Sequence, residues 1–108
     1  MDLFAGVPVS DFAASLGWYR TLLGAEPSFY PHDTEAVWQV VEHGSLYIVQ
    51  LPEHAGHARA MLFVDDLDER VARLTEQGLE PALREAFGDV RKISYRDRDG
   101  NEVAFGGR

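Results

Sequence analysis

Cysteine is absent from this chain, which removes disulfides, thiolate nucleophiles and zinc–thiolate sites together. Lysine is nearly absent: Lys92 stands alone beside nine arginines, and eighteen acidic residues leave a formal net charge of -8. A field of that sign repels polyanions and argues against nucleic acid as a partner. No apolar run reaches the roughly 18 residues of a membrane-spanning helix, and there is no charged-then-apolar leader. The expectation is a cytoplasmic protein with no membrane partner. Low-complexity segments are also lacking.

What is present is enough chain for one domain, residues 1–108, with 45% hydrophobic residues to build a core. The chain also repeats itself. Val9-Ser10-Asp11-Phe12 returns as Val64-Asp65-Asp66-Leu67, and Phe12, Leu16 and Tyr19 return as Leu67, Val71 and Leu74, each 55 positions on. Gly24 and Gly78 close the two stretches. The repeat predicts a first module of about residues 1–56 and a second of about 57–108.

Leu3–Val9 reads as a short strand, and Asp11 suits a helix N-cap. Phe12, Leu16, Tyr19 and Leu23 follow at helical spacing up to Gly24, which supplies a left-handed stop. Pro27–Asp33 reads as a loop or short edge strand. Glu35–Glu42 and Ser45–Leu51 read as strands joined at His43-Gly44, and Pro52–Gly56 as a connector. In the second half Ala60–Val64 is a strand. Asp66 and Glu69 form a capping box for a helix ending at Gly78. Leu79–Glu85 is a weak strand, Val90–Tyr95 a stronger one, Arg98–Asn101 a turn and Glu102–Phe105 the last strand. Each half is thus β-α-β-β-β, and the fold class is α+β.

This order, with GWYRTLLG at residues 17–24 and DRDGNEVAF at 97–105, resembles the vicinal oxygen chelate superfamily. That group includes glyoxalase I, extradiol dioxygenases, fosfomycin-modifying enzymes and bleomycin-binding resistance proteins. The resemblance covers nearly the whole chain. It implies two βαβββ modules forming a curved mixed sheet around a cavity, in a homodimer whose two chains close each cavity. Catalytic members hold one divalent metal through His, Glu or Gln. The resemblance places those ligands seven residues before each helix cap and late on each module's last strand, here Phe4, Arg59, Gln50 and Ala104. Only Gln50 carries a suitable donor, and a lone amide oxygen is a poor ligand. Neither a metal nor a cofactor is expected.

The four histidines, His32, His43, His54 and His57, fall in loops or at strand edges. His54 and His57 lack a third ligand partner, and a solvated connector is the plainer reading. They still leave an alternative: a metal-dependent glyoxalase-like or dioxygenase-like lyase with its metal displaced toward His57 and Gln50. Residues 97–102 superficially resemble a calcium loop, but the glycine comes too early, and a β-turn fits better.

Strand alternation predicts the cavity lining. With Gln50 inward, Leu46 and Ile48 face inward too, and Tyr47, Val49 and Leu51 pack under the helices. A hairpin pairing Glu42 with Ser45 adds Val37, Gln39 and Val41; a one-residue slip would instead add Trp38 and Val40. Counting from Arg59 adds Met61 and Phe63, and counting from Ala104 adds Glu102. Lys92 and Ser94 face the cavity if Ile93 and Tyr95 are core. The lining is mostly apolar, with Gln39, Gln50, Arg59, Lys92 and Ser94 as polar anchors, which suits a hydrophobic or planar small molecule.

Glu102 reads as a solvated strand end, which leaves acid–base chemistry without a proton acceptor. Phe4, Met61 and Phe63 suit ligand lining, a closed core or a subunit interface alike. Phe29, Tyr30 and Pro31 form an apolar cluster that suits a lid or a subunit contact. The leading expectation is metal-independent binding of a hydrophobic or aromatic compound by a homodimer, with antibiotic sequestration of the resistance type as its role. Besides the displaced-metal lyase, a structural or regulatory dimer with a filled cavity stands as a third reading.

Overall fold

The computed structural model describes residues 1–108, and its elements come in the order β-α-β-β-β twice over. The first set is β1 (Leu3–Val9), α1 (Phe12–Leu23), β2 (Phe29–His32), β3 (Glu35–Val41) and β4 (Gly44–Gln50). The second is β5 (Arg59–Phe63), α2 (Leu67–Glu76), β6 (Leu83–Phe87), β7 (Val90–Arg96) and β8 (Glu102–Gly107). Each set makes its own four-stranded mixed sheet, in the orders β1-β4-β3-β2 and β5-β8-β7-β6. In each, the helix serves as the crossover that lets the first strand run parallel to the last; the remaining pairs are antiparallel. No helix is long and apolar enough to cross a membrane.

Local chemistry explains most boundaries. Asp11 is extended and its carboxylate accepts from Ala14 N–H at 3.1 Å, the cap expected for α1. Gly24, at φ 70, gives its N–H to Arg20 O and ends the helix. The capping box expected at α2 does not form. Asp66 has a ψ of 38 and makes no cap bond. Its carboxylate instead faces the Arg70 guanidinium one turn on, at 3.2 Å, the neighbour that helical spacing supplies.

The strand expected over Leu79–Glu85 begins later, at Leu83. Pro81 has no N–H to give, and backbone pairing to β7 starts with Ala82 N–H on Ser94 O. The first hairpin closes one residue earlier than expected. Val41 lies opposite Gly44 and Gln39 opposite Ser45, with a bulge between Gln39 and Val41.

One core cluster draws on both halves. It runs from Val7, Val9, Tyr19, Leu22, Trp38, Leu46 and Ile48 to Leu67, Leu74, Ile93, Tyr95, Val103 and Phe105. Leu46 and Ile48 therefore lie in the core rather than in a cavity, which corrects the expected facing of β4. Leu46 sits opposite Trp38 and Ile48 opposite Ala36, all of them buried.

Polar bonds fasten the halves together. Asn101 is fully buried. Its Oδ1 accepts from Gly56 and Ala58 N–H at 3.0 Å, and its Nδ2 donates to Pro8 O and Asp97 Oδ2 at 2.8 Å. Asp97 also accepts from Tyr19 Oη at 2.8 Å and from the N–H groups of Asp99 and Asn101 at 2.9 Å. A buried carboxylate with four donors needs no cation beside it. The turn expected after β7 is in place, with Gly100 N–H on Asp97 O at 3.0 Å.

Candidate functional site

Each helix covers one face of a sheet, and the opposite faces carry no helix. In the first sheet the uncovered face holds Phe4, Gly6 and Pro8 of β1, which pair with Ser45, Tyr47 and Val49 of β4. Glu35, Val37 and Gln39 of β3 lie beyond them. A Cβ on Gly6 would stand 2.5 Å from the Tyr47 ring, so glycine lets that ring lie across the strand. Phe4 is about half exposed, whereas Val37 is buried. The Gln39 amide is occupied within the hairpin, donating to Glu42 O at 2.8 Å.

In the second sheet Arg59, Met61 and Phe63 of β5 pair with Glu102, Ala104 and Gly106 of β8. Those in turn lie opposite Arg96, Ser94 and Lys92 of β7. Six of the expected contacts, Arg59, Met61, Phe63, Lys92, Ser94 and Ala104, therefore share one face. Met61 and Phe63 are about half exposed; Ser94 and Ala104 are buried.

Three expected contacts lie on the helix side of the first sheet instead. Ile48 is wholly buried in the core. Gln50 shares its side of β4, and its Oε1 accepts from Phe12 N–H at 2.9 Å. The first amides of α1 need an acceptor there, so the polar residue ending β4 serves the helix rather than a cavity. Trp38 donates its indole N–H to Ala25 O at 2.9 Å and packs against Tyr19. It nevertheless borders a cavity of about 370 Å³ between the two halves, with Gln39, Leu62, Met61, Phe63 and Phe105 among its other walls. Ten of its fourteen lining residues are hydrophobic.

Sequence reasoning missed the surroundings of Glu102. Its side chain is only 9% exposed rather than solvated. Arg59 Nε and Nη2 donate to its Oε2 at 3.3 Å, Lys92 Nζ lies at 3.6 Å, and Arg96 Nη2 lies 3.6 Å from its Oε1. Burial alone would raise the Glu102 carboxyl. The hydrogen bond from Arg59, with the charges of Arg59 and Lys92, instead holds it below the usual carboxylate range. Alternation was the available signal: Lys92 and Arg96 are four apart on one strand and share a face.

The residues do not fit the divalent ion implied by the resemblance. Phe4, Arg59 and Ala104 offer no lone pair for a metal, and the Gln50 amide oxygen is already engaged. Nowhere does the chain bring together three His, Asp or Glu side chains that could hold an ion. His57 is exposed and borders the cavity around Glu102.

Two uncovered sheet faces and an apolar cavity between paired βαβββ units define a cavity protein with two repeated modules. Residues 3–105 match the model of the Glyoxalase/Bleomycin resistance protein/Dioxygenase superfamily, and the chain belongs to that superfamily. It is similar to a solved glyoxalase/bleomycin resistance protein of Catenulispora acidiphila, 57% identical over 100% of this chain and 98% of that one, with a TM-score of 0.95. A glyoxalase/bleomycin resistance protein of a Streptomyces species is 25% identical over 97% and 98% of the two chains, with a TM-score of 0.76. Lactoylglutathione lyase of Agrobacterium tumefaciens is 17% identical over 99% and 92%, with a TM-score of 0.80, a likeness of fold alone. A search of curated proteins gave no match.

Proposed function

We propose that this chain binds a hydrophobic or aromatic small molecule without a metal, as a cytoplasmic homodimer, and sequesters its ligand rather than transforming it. The observation that carries this reading is the set of side chains at the superfamily's metal positions. Phe4, Arg59 and Ala104 cannot ligate, and Gln50 lies on the helix side of its sheet, away from those three, where it accepts from Phe12 N–H. Beside those positions the uncovered faces carry apolar surface. Phe4, Met61, Phe63, Leu83 and Phe87 are all about half exposed, an apolar surface that a ligand or a second copy would cover.

A second copy laid against these faces would cover that surface and enclose the ligand, and the apolar cavity beside Trp38 offers a further seat. The resistance-type role is supported by the likeness to the glyoxalase/bleomycin resistance proteins of Catenulispora and Streptomyces. The test is a thermal-shift titration with phenylnaphthylamine in the presence of EDTA, alongside sedimentation equilibrium. A dimer whose melting temperature rises with ligand supports the reading, since binding to the folded state alone stabilises it. A monomer without any shift contradicts it, as does turnover that requires a divalent ion.

A further inference from the structure

Building on that small-molecule-binding reading, we infer that the ligand is an anionic aromatic compound, whose acidic group is held by Arg59, Lys92 and Arg96 on the uncovered face of the second sheet. The chain is strongly acidic, at a formal charge of -8, yet three of its ten basic residues converge on one carboxylate. They border an open cavity of about 490 Å³. Glu85 lines the same cavity, so cations outnumber carboxylates there by three to two.

The arrangement is that of a prepared anion site. Glu102 is fixed on β8 and buried, whereas the Arg59 and Arg96 side chains are 72% and 55% exposed. Arg59 uses Nε and Nη2 on Glu102, which leaves Nη1 without a protein partner. Arg96 gives Nη1 to Gly100 O at 3.1 Å, so its guanidinium is anchored at both ends. The buried carboxylate thus orients two planar donors that suit a carboxylate, sulfonate or phosphate ester.

The apolar half of the ligand has its place beside this cluster. A smaller depression joins Arg59, Lys92 and Glu102 to Met61, the next residue on the same face of β5. Phe63 follows two positions further. A ring lying on Met61 and Phe63 would bring its acidic substituent to Arg59. The repeat sharpens the contrast. Phe4 holds in the first module the position that Arg59 holds in the second, so one module offers a ring where the other offers a guanidinium.

The experiment compares two fluorescent probes that differ mainly in charge, anilinonaphthalene sulfonate and phenylnaphthylamine, titrated into the protein at low salt with EDTA present. The expected result is about tenfold tighter binding of the sulfonate, lost in Arg59→Gln and in Arg96→Gln while the neutral probe is unaffected. Arg59→Lys should recover part of the difference. Equal affinity for both probes, unchanged by either substitution, would overturn the inference and leave the binding reading intact. Failure of both probes to bind would overturn the binding reading and this inference with it.

Discussion

The Tyr19 hydroxyl donates to the Asp97 carboxylate at 2.8 Å, joining the first helix to the last turn of the chain across 78 positions. Both groups are buried. Tyr19→Phe should cost about 1.5–3 kcal/mol, the range for a hydrogen bond to a charged partner. It should also change the alkaline limb of stability. Burial first, and then the Asp97 charge, push the Tyr19 hydroxyl well above its ordinary value of 10.0. The folded chain therefore keeps its proton where the unfolded chain loses it, so this contribution is full below that value and falls as pH rises beyond it. Urea denaturation from about pH 8 to about pH 11 should show a steep loss in the parent and a shallower one in Tyr19→Phe.

Asn101 spends both ends of its amide between the modules, and Asn101→Ala leaves Gly56 N–H, Ala58 N–H and Pro8 O without their partner. Each buried unpaired group carries a penalty, so the expected loss is about 3–5 kcal/mol. Asn101→Asp should do no better. It keeps the acceptor but sets a second negative charge where Nδ2 now donates to Asp97 at 2.8 Å. A melting temperature for Asn101→Asp close to that of the parent would contradict this role.

Gln50 is the acceptor for Phe12 N–H at 2.9 Å and not a cavity anchor. Gln50→Ala should therefore lower stability by about 1 kcal/mol, like the loss of a helix cap, and leave probe affinity unchanged. Denaturation and fluorescence titration on the same sample separate these effects. A weakened probe with unchanged stability would place Gln50 in the binding surface after all.

Glu102 contributes to the acid limb. Burial works against its charge, but Arg59 and Lys92 more than compensate and hold the carboxyl below 4.5. A depressed carboxyl contributes stability that is complete above the unfolded value and disappears as pH falls through the folded one. Glu102→Gln should remove that dependence. Between about pH 3 and about pH 6, parent stability should therefore fall more steeply with acid than that of the variant.

Much of this molecule is legible in its sequence. The 55-residue repeat places β1 with α1 and β5 with α2, and period-two alternation from Arg59 and Ala104 selects the uncovered face of the second sheet. The first sheet misleads because its one polar residue at the end of β4, Gln50, looks like a cavity anchor while serving a helix terminus. Once Gln50 is turned inward, Ile48 follows it, although Ile48 belongs to the core. The bulge between Gln39 and Val41 is a second obstacle, since one extra residue shifts where the hairpin closes without leaving a compositional trace. The Glu102 cluster joins β5, β7 and β8, and the register that brings Arg59 and Arg96 opposite one carboxylate is set by sheet pairing, which a linear pattern does not contain.

Metal-independent binding is tested most directly by counting divalent ions per chain in protein purified without chelators, then titrating phenylnaphthylamine before and after EDTA. With Phe4, Arg59 and Ala104 at positions where the resemblance implies metal ligands, the expected result is far less than one ion per chain and an affinity that chelation does not change. One tightly bound ion per chain, with probe binding lost on its removal, would contradict the proposal.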